Sequence, residues 1–340
     1  MPPPETPETP DTPVIAQWIF DTRSWYPEVT QTKQLETHAS RALALLTPST
    51  RPQILRYYHA RDAKMALASA LIKHYAIAKL HPKNNNNNTP PPRWSQTTIT
   101  RDARTKPVYI DPATGAQPVA FNVSHQAGIV ALIAVVAEEE VEVGVDIVCT
   151  SERRARDQGM IVDGGGGGGG DGWAAFVDMH ADVFAAGEVD YLKHKVLAAV
   201  PELVPATSPT AEQVADGKLR AFYALWALRE AYVKLTGEAL LAEWLGELEF
   251  RGFRPPRATA GWEVPADEEG GEEVIREVEI WFKGKRVEDV NMCLRSMGPD
   301  YMVATAVRTP GKKELGLGWT LGPYEVLSLE EVLDFAESSG

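Results

Sequence analysis

Residues 119–148 read VAFNVSHQAGIVALIAVVAEEEVEVGVDIV and contain three predicted β-strands, Val119–Val123, Ile129–Ala137 and Val141–Val148. The middle strand is the longest apolar run of the chain, and it is far too short to span a bilayer. Four glutamates within residues 138–142 lie near the turn into the third strand. Close carboxylates repel one another and seek water, so this turn is predicted to be solvated.

Helical and strand-like segments occur on both sides of this stretch, which predicts an α+β protein. We interpret the layout as two pseudo-related α+β halves joined near residue 140, with the functional site at their interface. The proposed divisions are a disordered N-terminus at 1–13, an N-terminal half at 14–140, a C-terminal half at 141–310 with a glycine-rich insertion at 164–172, and a C-terminal extension at 311–340.

Hydrophobic periodicity predicts the remaining elements. They are a strand at Val14–Phe20, helices from Pro52 to about Lys79, over Trp173–Val200 and over Lys218–Leu235, and strands at Leu248–Phe253, Val278–Phe282 and Tyr301–Val307. Gly237 stands where a left-handed stop ends a helix, and Ser328 with Glu331 forms a capping-box pattern for a short terminal helix. Residues 81–92, with five consecutive asparagines, are predicted to be a low-complexity loop.

The composition narrows the functional classes. The net charge is -13, whereas nucleic-acid binders usually carry a basic face, so nucleic acid is not an expected partner. The 340 residues contain only two cysteines, which excludes a disulfide framework and fits a reducing compartment. We therefore expect a cytoplasmic protein with no membrane segment.

The segment Phe121–His125 is the first candidate for chemistry. On a strand, Phe121, Val123 and His125 share one face, while Asn122 and Ser124 share the other. Adjacent Ser124 and His125 therefore should not form a nucleophile–base pair. The segment by itself is compatible with a phosphate-binding strand end or with an ordinary polar strand end before a turn, and the second is favoured.

The segment Val143–Val148 is the second candidate. Alternation places Gly144, Asp146 and Val148 on one face of the strand. A carboxylate on so apolar a strand is costly unless it is paired or bound to a metal, and Gly144 is predicted to leave space beside it for a ligand. A turn or cap role for Asp146 is about equally compatible with the pattern.

The third candidate lies on the helix that contains Trp226, Glu230 and Lys234. These residues are spaced by four and line one helical face. An ordinary surface Glu–Lys pair is the simple alternative. Trp226 on the same stripe argues that this face is partly buried, where a carboxylate beside a lysine could bind a metal and share proton transfer.

Together these segments resemble the signature of the Sfp-type phosphopantetheinyl transferases, and especially of their broad-range filamentous-fungal members. The family pattern is Lys-Pro, then Phe-Asn-x-Ser-His, then Val-Gly-x-Asp, then Trp-x-x-Lys/Arg-Glu-x-x-x-Lys. The chain has Lys106-Pro107, Phe121–His125, Val143–Asp146 and Trp226–Lys234 in that order. The resemblance spans about residues 50 to 310.

The resemblance implies a transferase that moves the phosphopantetheine arm of coenzyme A onto a serine of an apo carrier-protein domain and releases 3′,5′-adenosine bisphosphate. Asp146 and Glu230 would hold Mg²⁺ against the pyrophosphate. Glu230 would take the proton from the carrier serine, and Lys234 would neutralise pyrophosphate charge. The implied coenzyme A-binding residues are Arg61, Arg101, Lys106, Ser124 and His125. The partners would be coenzyme A and the carrier domain, and a monomer is expected because two halves in one chain would build the whole site.

Three positions depart from the family pattern. Val148 stands where many members have a second acid, and Arg229 stands where lysine is common before the glutamate. Thr105 replaces the usual glycine before Lys106-Pro107. A non-catalytic coenzyme A- or nucleotide-binding adaptor is the main alternative. It would need the phosphate-binding residues but not Asp146 together with Glu230 and Lys234. A metal-dependent phosphohydrolase of unrelated fold is a second alternative, and it would normally offer more carboxylates and histidines.

Overall fold

The computed structural model describes residues 13–82, 91–164, 171–199, 208–238, 244–259 and 273–340. Its strands are β1 (Val14–Asp21), β2 (Ile99–Arg101), β3 (Pro107–Tyr109), β4 (Ala120–Gln126), β5 (Ile129–Val136), β6 (Glu142–Cys149), β7 (Leu248–Arg251), β8 (Val274–Ile275), β9 (Glu279–Phe282), β10 (Lys285–Arg286), β11 (Asn291–Met297), β12 (Tyr301–Arg308) and β13 (Glu325–Val326). Its α-helices are α1 (Leu35–His38), α2 (Ser40–Ala44), α3 (Thr50–Leu55), α4 (Ala60–Leu80), α5 (Arg154–Val162), α6 (Gly172–Asp178), α7 (Ala186–Asp190), α8 (Ala211–Thr236), α9 (Lys313–Gly318) and α10 (Leu329–Ser338).

The N-terminal half is a sheet in the order β13-β1-β5-β4, covered on one face by α4. β5 is buried on both faces, and alternation divides its side chains between two cores. Val130, Leu132 and Ala134 pack in the core that contains α4, whereas the residues between them face the other half of the protein. This is why the β5 sequence is apolar without interruption.

The C-terminal half repeats this arrangement with the sheet β6-β12-β11-β8 and helix α8. Thr210 caps α8 by accepting from the Gln213 amide, and Gly237 ends it in the left-handed conformation with φ 75°. A smaller sheet, β10-β9-β7, lies beside it. The two main sheets enclose a third core, so the layers run α4, sheet, sheet, α8.

Polar side chains of β4 join the two sheets at their adjacent edges. The Asn122 Oδ1 accepts a hydrogen bond of 3.1 Å from the Val145 amide, and the Gln126 Oε1 accepts one of 3.1 Å from the Cys149 amide. These amides belong to β6, which has its other edge paired with β12. Asn122 therefore satisfies an edge strand of the opposite half, and Ser124, on the same face, is directed to the junction.

The C-terminal residues, predicted to be an extension at 311–340, pack on the N-terminal half. β13 pairs in parallel with β1, and α10 packs on α4. Tyr75 of α4 donates a hydrogen bond of 2.9 Å to Glu331 of α10, and Arg41 forms ion pairs with three acids of this helix. Residues distant in sequence thus share one core, which local patterns do not indicate.

Two predicted helices are interrupted. The segment from Pro52 to Lys79 is two helices, α3 and α4, because His59 adopts an extended conformation (φ -97°, ψ 134°) and bridges to Gln31. The segment Trp173–Val200 is broken at Phe184 and Ala185, which are also extended. β11 and α5 were not predicted. The asparagine run, most of the glycine-rich insertion and the segment after Val200 lie outside the described residues.

Candidate active site

A cavity of about 380 Å³ lies at the junction of the two halves, between the ends of β4 and β6 and one face of α8. Five of the predicted site residues line it: Ser124, His125, Asp146, Glu230 and Lys234. Trp226 lines it too, so the helical stripe of Trp226, Glu230 and Lys234 faces the cavity as the spacing predicts. The structure therefore assembles residues from three separate segments into one site.

Ser124, Asp146 and Lys234 form a closed hydrogen-bonded group. The Lys234 Nζ donates to the Asp146 Oδ1 at 2.6 Å and to the Ser124 Oγ at 2.8 Å, and the Ser124 hydroxyl donates to the same Asp146 oxygen at 2.7 Å. Asp146 is 6% exposed, so the ammonium compensates a buried carboxylate. Lys234 thus pairs with Asp146 of β6, rather than along α8 with Glu230, and its contact with Ser124 reaches the N-terminal half.

Glu230 is half-buried opposite this group, and burial followed by the nearby Asp146 carboxylate raises its pKa to about 7. Lys234 and Arg229 act in the opposite direction. Among the described residues, no donor is hydrogen-bonded to the Glu230 carboxylate, which leaves its oxygens available for a proton or a cation. Two close carboxylates of this kind fit a hard divalent cation.

The described residues contain no cluster of three or more His, Cys, Asp or Glu side chains arranged to hold a metal. Val148 explains part of this result, because it lines the same cavity as Asp146 at the position where a third acid would stand. A cation at this site would therefore take only Asp146 and Glu230 from the protein.

Gly144 has a different role from the one that the sequence suggested. A Cβ at this position would clash with the Ala231 carbonyl and the Leu235 amide of α8. The space that Gly144 leaves is therefore filled by the backbone of α8 and not by a ligand. The close approach of β6 and α8 is what brings Asp146 within reach of Lys234.

Lys73 of α4 and Lys234 of α8 lie close enough to His125 for their charges to act on it. Desolvation, followed by the charges of Lys234 and Lys73, lowers the pKa of His125. Lys73, on α4, is half-buried, and its burial together with the charge of Arg101 lowers its pKa to about 8. Arg101 of β2 is exposed and donates to the Thr105 carbonyl. Sequence analysis missed Lys73, since one lysine on an amphipathic helix carries no signal.

Arg61 is exposed in the first turn of α4 and does not line the cavity. Its Nη2 lies 3.2 Å from the Glu152 Oε1, and the Glu152 Oε2 accepts a hydrogen bond of 2.9 Å from the Gln126 side chain. These contacts place Arg61 near Gln126 at the end of β4, and Gln126 directly follows His125 in the sequence. A ligand that engages Arg61 must compete with Glu152.

Lys106, which is predicted to bind coenzyme A, does not line this cavity. Its Nζ donates to the Val143 carbonyl at 2.8 Å and lies 3.5 Å from the Leu235 carbonyl. It lines a different cavity with Phe121 and Gly237, and burial lowers its pKa to about 8. Lys106 caps the last turn of α8 and ties it to β6.

A second cavity of about 380 Å³ adjoins the first, and Gln126, Val148 and Trp226 line both. Its walls mix apolar side chains, such as Met160, Phe176 and Phe222, with charged ones, such as Arg153 and Arg156. The second cavity is therefore a neighbour of the first with both polar and apolar walls.

Comparison with known proteins agrees with this arrangement. Residues 24–137 match the family model described as 4'-phosphopantetheinyl transferase, N-terminal, and residues 142–264 match that of the 4'-phosphopantetheinyl transferase superfamily. The chain therefore belongs to the 4'-phosphopantetheinyl transferase family, whose members use coenzyme A as substrate. The prediction of two α+β halves is confirmed.

Individual relatives are fungal and mammalian. The chain is 44% identical over 328 residues to 4'-phosphopantetheinyl transferase 1 of Fusarium mangiferae. The aligned region covers 96% of this chain and 97% of that protein. It is 31% identical over 319 residues to 4'-phosphopantetheinyl transferase NpgA of Emericella nidulans, at 88% and 83% coverage. The human L-aminoadipate-semialdehyde dehydrogenase-phosphopantetheinyl transferase is 32% identical over 138 residues, at 40% and 38%. The predicted likeness to fungal members and the enzyme class are confirmed, and the adaptor alternative is not favoured.

Proposed function

We propose that this enzyme transfers the phosphopantetheine arm of coenzyme A to the acceptor serine of apo carrier domains, with its chemistry in the cavity between the two halves. The observation that carries the assignment is that Asp146, Glu230, Lys234, Ser124 and His125 line one cavity at that junction. A nucleophile from the enzyme is not required, because the attacking oxygen belongs to the carrier.

The divalent cation of this reaction is proposed to be Mg²⁺, held by Asp146 and Glu230. Carboxylate and phosphate oxygens are the ligands that Mg²⁺ prefers, with water in the remaining positions. When bound, the ion would neutralise charge on the pyrophosphate and lower the barrier to phosphoryl transfer. The paired carboxylates, with Glu230 free of donors among the described residues, support this assignment.

The side chains of the cavity have separate roles in the proposed reaction. Glu230 takes the proton from the carrier serine, directly or through water, as that oxygen attacks the β-phosphate and 3′,5′-adenosine bisphosphate leaves. Lys234 faces the pyrophosphate charge, and its bonds to Asp146 and Ser124 hold it in place.

The nucleotide end of coenzyme A is assigned to the cations around His125. Ser124 and His125 would contact phosphate from β4, with Arg61, Lys73 and Arg101 supplying charge from α4 and β2. We propose the adjoining cavity for the pantetheine arm, because the amide groups and methyl-bearing chain of the arm suit a wall of mixed polar and apolar side chains and the arm must reach outward from the pyrophosphate.

The carrier range is proposed from the relatives. The human relative is named for an aminoadipate-semialdehyde dehydrogenase, so a reductase carrier domain is one proposed acceptor, beside polyketide-synthase, peptide-synthetase and fatty-acid carriers of fungal metabolism, both secondary and lysine-forming. We further propose a cytoplasmic monomer. Both cysteines are free and buried, and one chain supplies both halves of the site. No helix of the described residues is long and apolar enough to cross a membrane.

The test is to incubate the protein with coenzyme A, Mg²⁺ and an apo carrier domain and to weigh the carrier. We expect a mass increase equal to one phosphopantetheine, abolished by EDTA and restored by Mg²⁺. A carrier whose acceptor serine is replaced by alanine is the control and should gain no mass. Coenzyme A binding without any transfer to a range of carriers would favour the adaptor alternative instead.

A further inference from the structure

Arg229 is the residue of α8 directly before Glu230, and it is almost completely buried on another side of the helix. Consecutive helical residues differ by about 100° in direction, so Arg229 points away from the cavity while Glu230 points towards it. The side chain of Arg229 is 3% exposed and that of its partner Glu188 is 0% exposed. The pair forms no part of the cavity that holds Asp146.

The guanidinium of Arg229 bridges three acceptors in separate segments. The Nη1 donates to the Glu188 Oε2 at 2.6 Å and to the Leu248 carbonyl at 2.7 Å, and the Nη2 donates to the Leu245 carbonyl at 2.5 Å. Glu188 belongs to α7, Leu245 to a 3₁₀ turn and Leu248 to β7. The planar fork of arginine suits such a set, whereas a lysine ammonium is a single point charge on a flexible stem.

Both carboxylate oxygens of Glu188 also accept hydrogen bonds from backbone amides. Its Oε2 also accepts from the Ala185 amide at 2.8 Å, and its Oε1 accepts from the Phe250 amide at 2.8 Å. Burial raises the pKa of Glu188 and lowers that of Arg229, and the opposite charge of each partner offsets this cost. The group therefore joins α7 and β7 to α8 through one side chain.

The opposite side of α8 is fixed where its backbone rests on Gly144 of β6. Glu230 lies between this contact and the Arg229 anchor. Rotation of α8 by a small angle about its axis would move the Glu230 carboxylate relative to Asp146, and reacting groups displaced by about 1 Å can lose about 10²-fold in rate.

We propose that the Arg229–Glu188 pair is a positioning device that sets the orientation of α8 and thereby the spacing of Glu230 and Asp146. The pair acts through α8 and touches no substrate. The proposal rests on the assignment of Glu230 and Asp146 to the reaction centre. It predicts that turnover, and metal binding by the enzyme–coenzyme A complex, depend on the fork of Arg229 and not only on its charge.

The test compares Arg229→Lys and Glu188→Gln with Val177→Ala, a substitution at a buried residue of the same core that lines neither cavity. All are measured below their melting temperatures at saturating coenzyme A, carrier and Mg²⁺. We expect kcat to fall by about 10- to 100-fold for Arg229→Lys and less for Glu188→Gln, with the KM for coenzyme A changed by no more than about threefold. Calorimetric titration of Mg²⁺ into the coenzyme A complex should show weaker binding in both variants.

Val177→Ala should lose melting temperature without losing kcat or metal affinity. If Arg229→Lys does not fold, Glu188→Gln decides the question, since glutamine keeps the volume and can still accept from Arg229. Variants that lose melting temperature but retain parental kcat and metal affinity would overturn the proposal and leave the pair with a role in stability alone. Glu230→Gln, measured in parallel, tests the underlying site assignment separately, because a parental rate there would remove Glu230 from the chemistry whatever the Arg229 variants do.

Discussion

The two halves of the molecule contribute to the site in different ways. On the C-terminal side, Asp146 and Lys234 are in direct contact, and α8 is held by Gly144, Lys106 and Arg229. On the N-terminal side, the proposed phosphate-binding cations are exposed or half-buried and are spread over α4, β2 and β4. The proposed catalytic groups are thus in contact before substrate binds, whereas the side chains proposed to bind the nucleotide lie on three separate elements.

The largest predicted effect is a loss of kcat from substitutions on the C-terminal side of the site. Asp146→Asn and Glu230→Gln should each lower kcat by at least about 10²-fold, because each removes one charge from a preorganised, partly buried centre. Single-turnover transfer to an apo carrier, with Mg²⁺ saturating, measures the effect. Near-parental rates in either variant would mean that the centre is built from other residues, and the contrast between the halves would fail.

The next effect separates the halves by kinetic parameter. Lys73→Ala and His125→Ala should raise the KM for coenzyme A by about tenfold or more, the scale of one charge-assisted hydrogen bond, while the carrier KM stays near its parental value. Lys79→Ala, at the end of the same helix, is the matched control. Dephospho-coenzyme A lacks the 3′-phosphate, so its KM should rise less in these variants than the KM for coenzyme A. Equal sensitivity to both substrates would place these side chains away from that phosphate.

The affinity for coenzyme A should change several-fold with pH because Lys73 loses its charge. Its pKa is lowered to about 8, so its positive charge is present below pH 8 and is lost as pH rises through that value. Coenzyme A affinity, measured calorimetrically, should therefore fall between pH 7.5 and pH 9, by about the amount of one charge-assisted contact at most. Lys73→Arg should abolish this fall since arginine stays protonated. Lys106 also has a pKa of about 8, so Lys106→Arg is the control and should leave the pH dependence intact.

The smallest predicted effect is a change in Mg²⁺ dependence when Val148, on the C-terminal side of the site, is replaced. Val148→Glu would place a third hard ligand in the cavity wall beside Asp146. The Mg²⁺ concentration for half-saturation should therefore fall, by about threefold at most, and the variant should still catalyse transfer. The parent should bind Mg²⁺ weakly without coenzyme A. Tight binding by the parent alone, or unchanged metal dependence in the variant, would show that Val148 does not face the ion.

Much of the site could be predicted because it depends on local geometry. Strand alternation places Asn122 and Ser124 together and directs Asp146 and Val148 to the helix side, and the structure has them there. The spacing of Trp226, Glu230 and Lys234 places all three on the cavity face of α8. Gly237 ends the helix as its φ freedom suggests. These features follow from the periods of strand and helix, which are fixed by the backbone.

The rest depended on which surfaces meet. The sequence determined the elements, the faces of the key side chains and the family signature. Only the tertiary structure decided that Lys234 pairs with Asp146, that α8 fills the space beside Gly144, and that Lys106 caps α8 instead of entering the cavity. It also placed the last residues of the chain in the N-terminal sheet. Such contacts join residues far apart in sequence, and their partners are selected by the packing of whole helices and sheets, which no local period encodes.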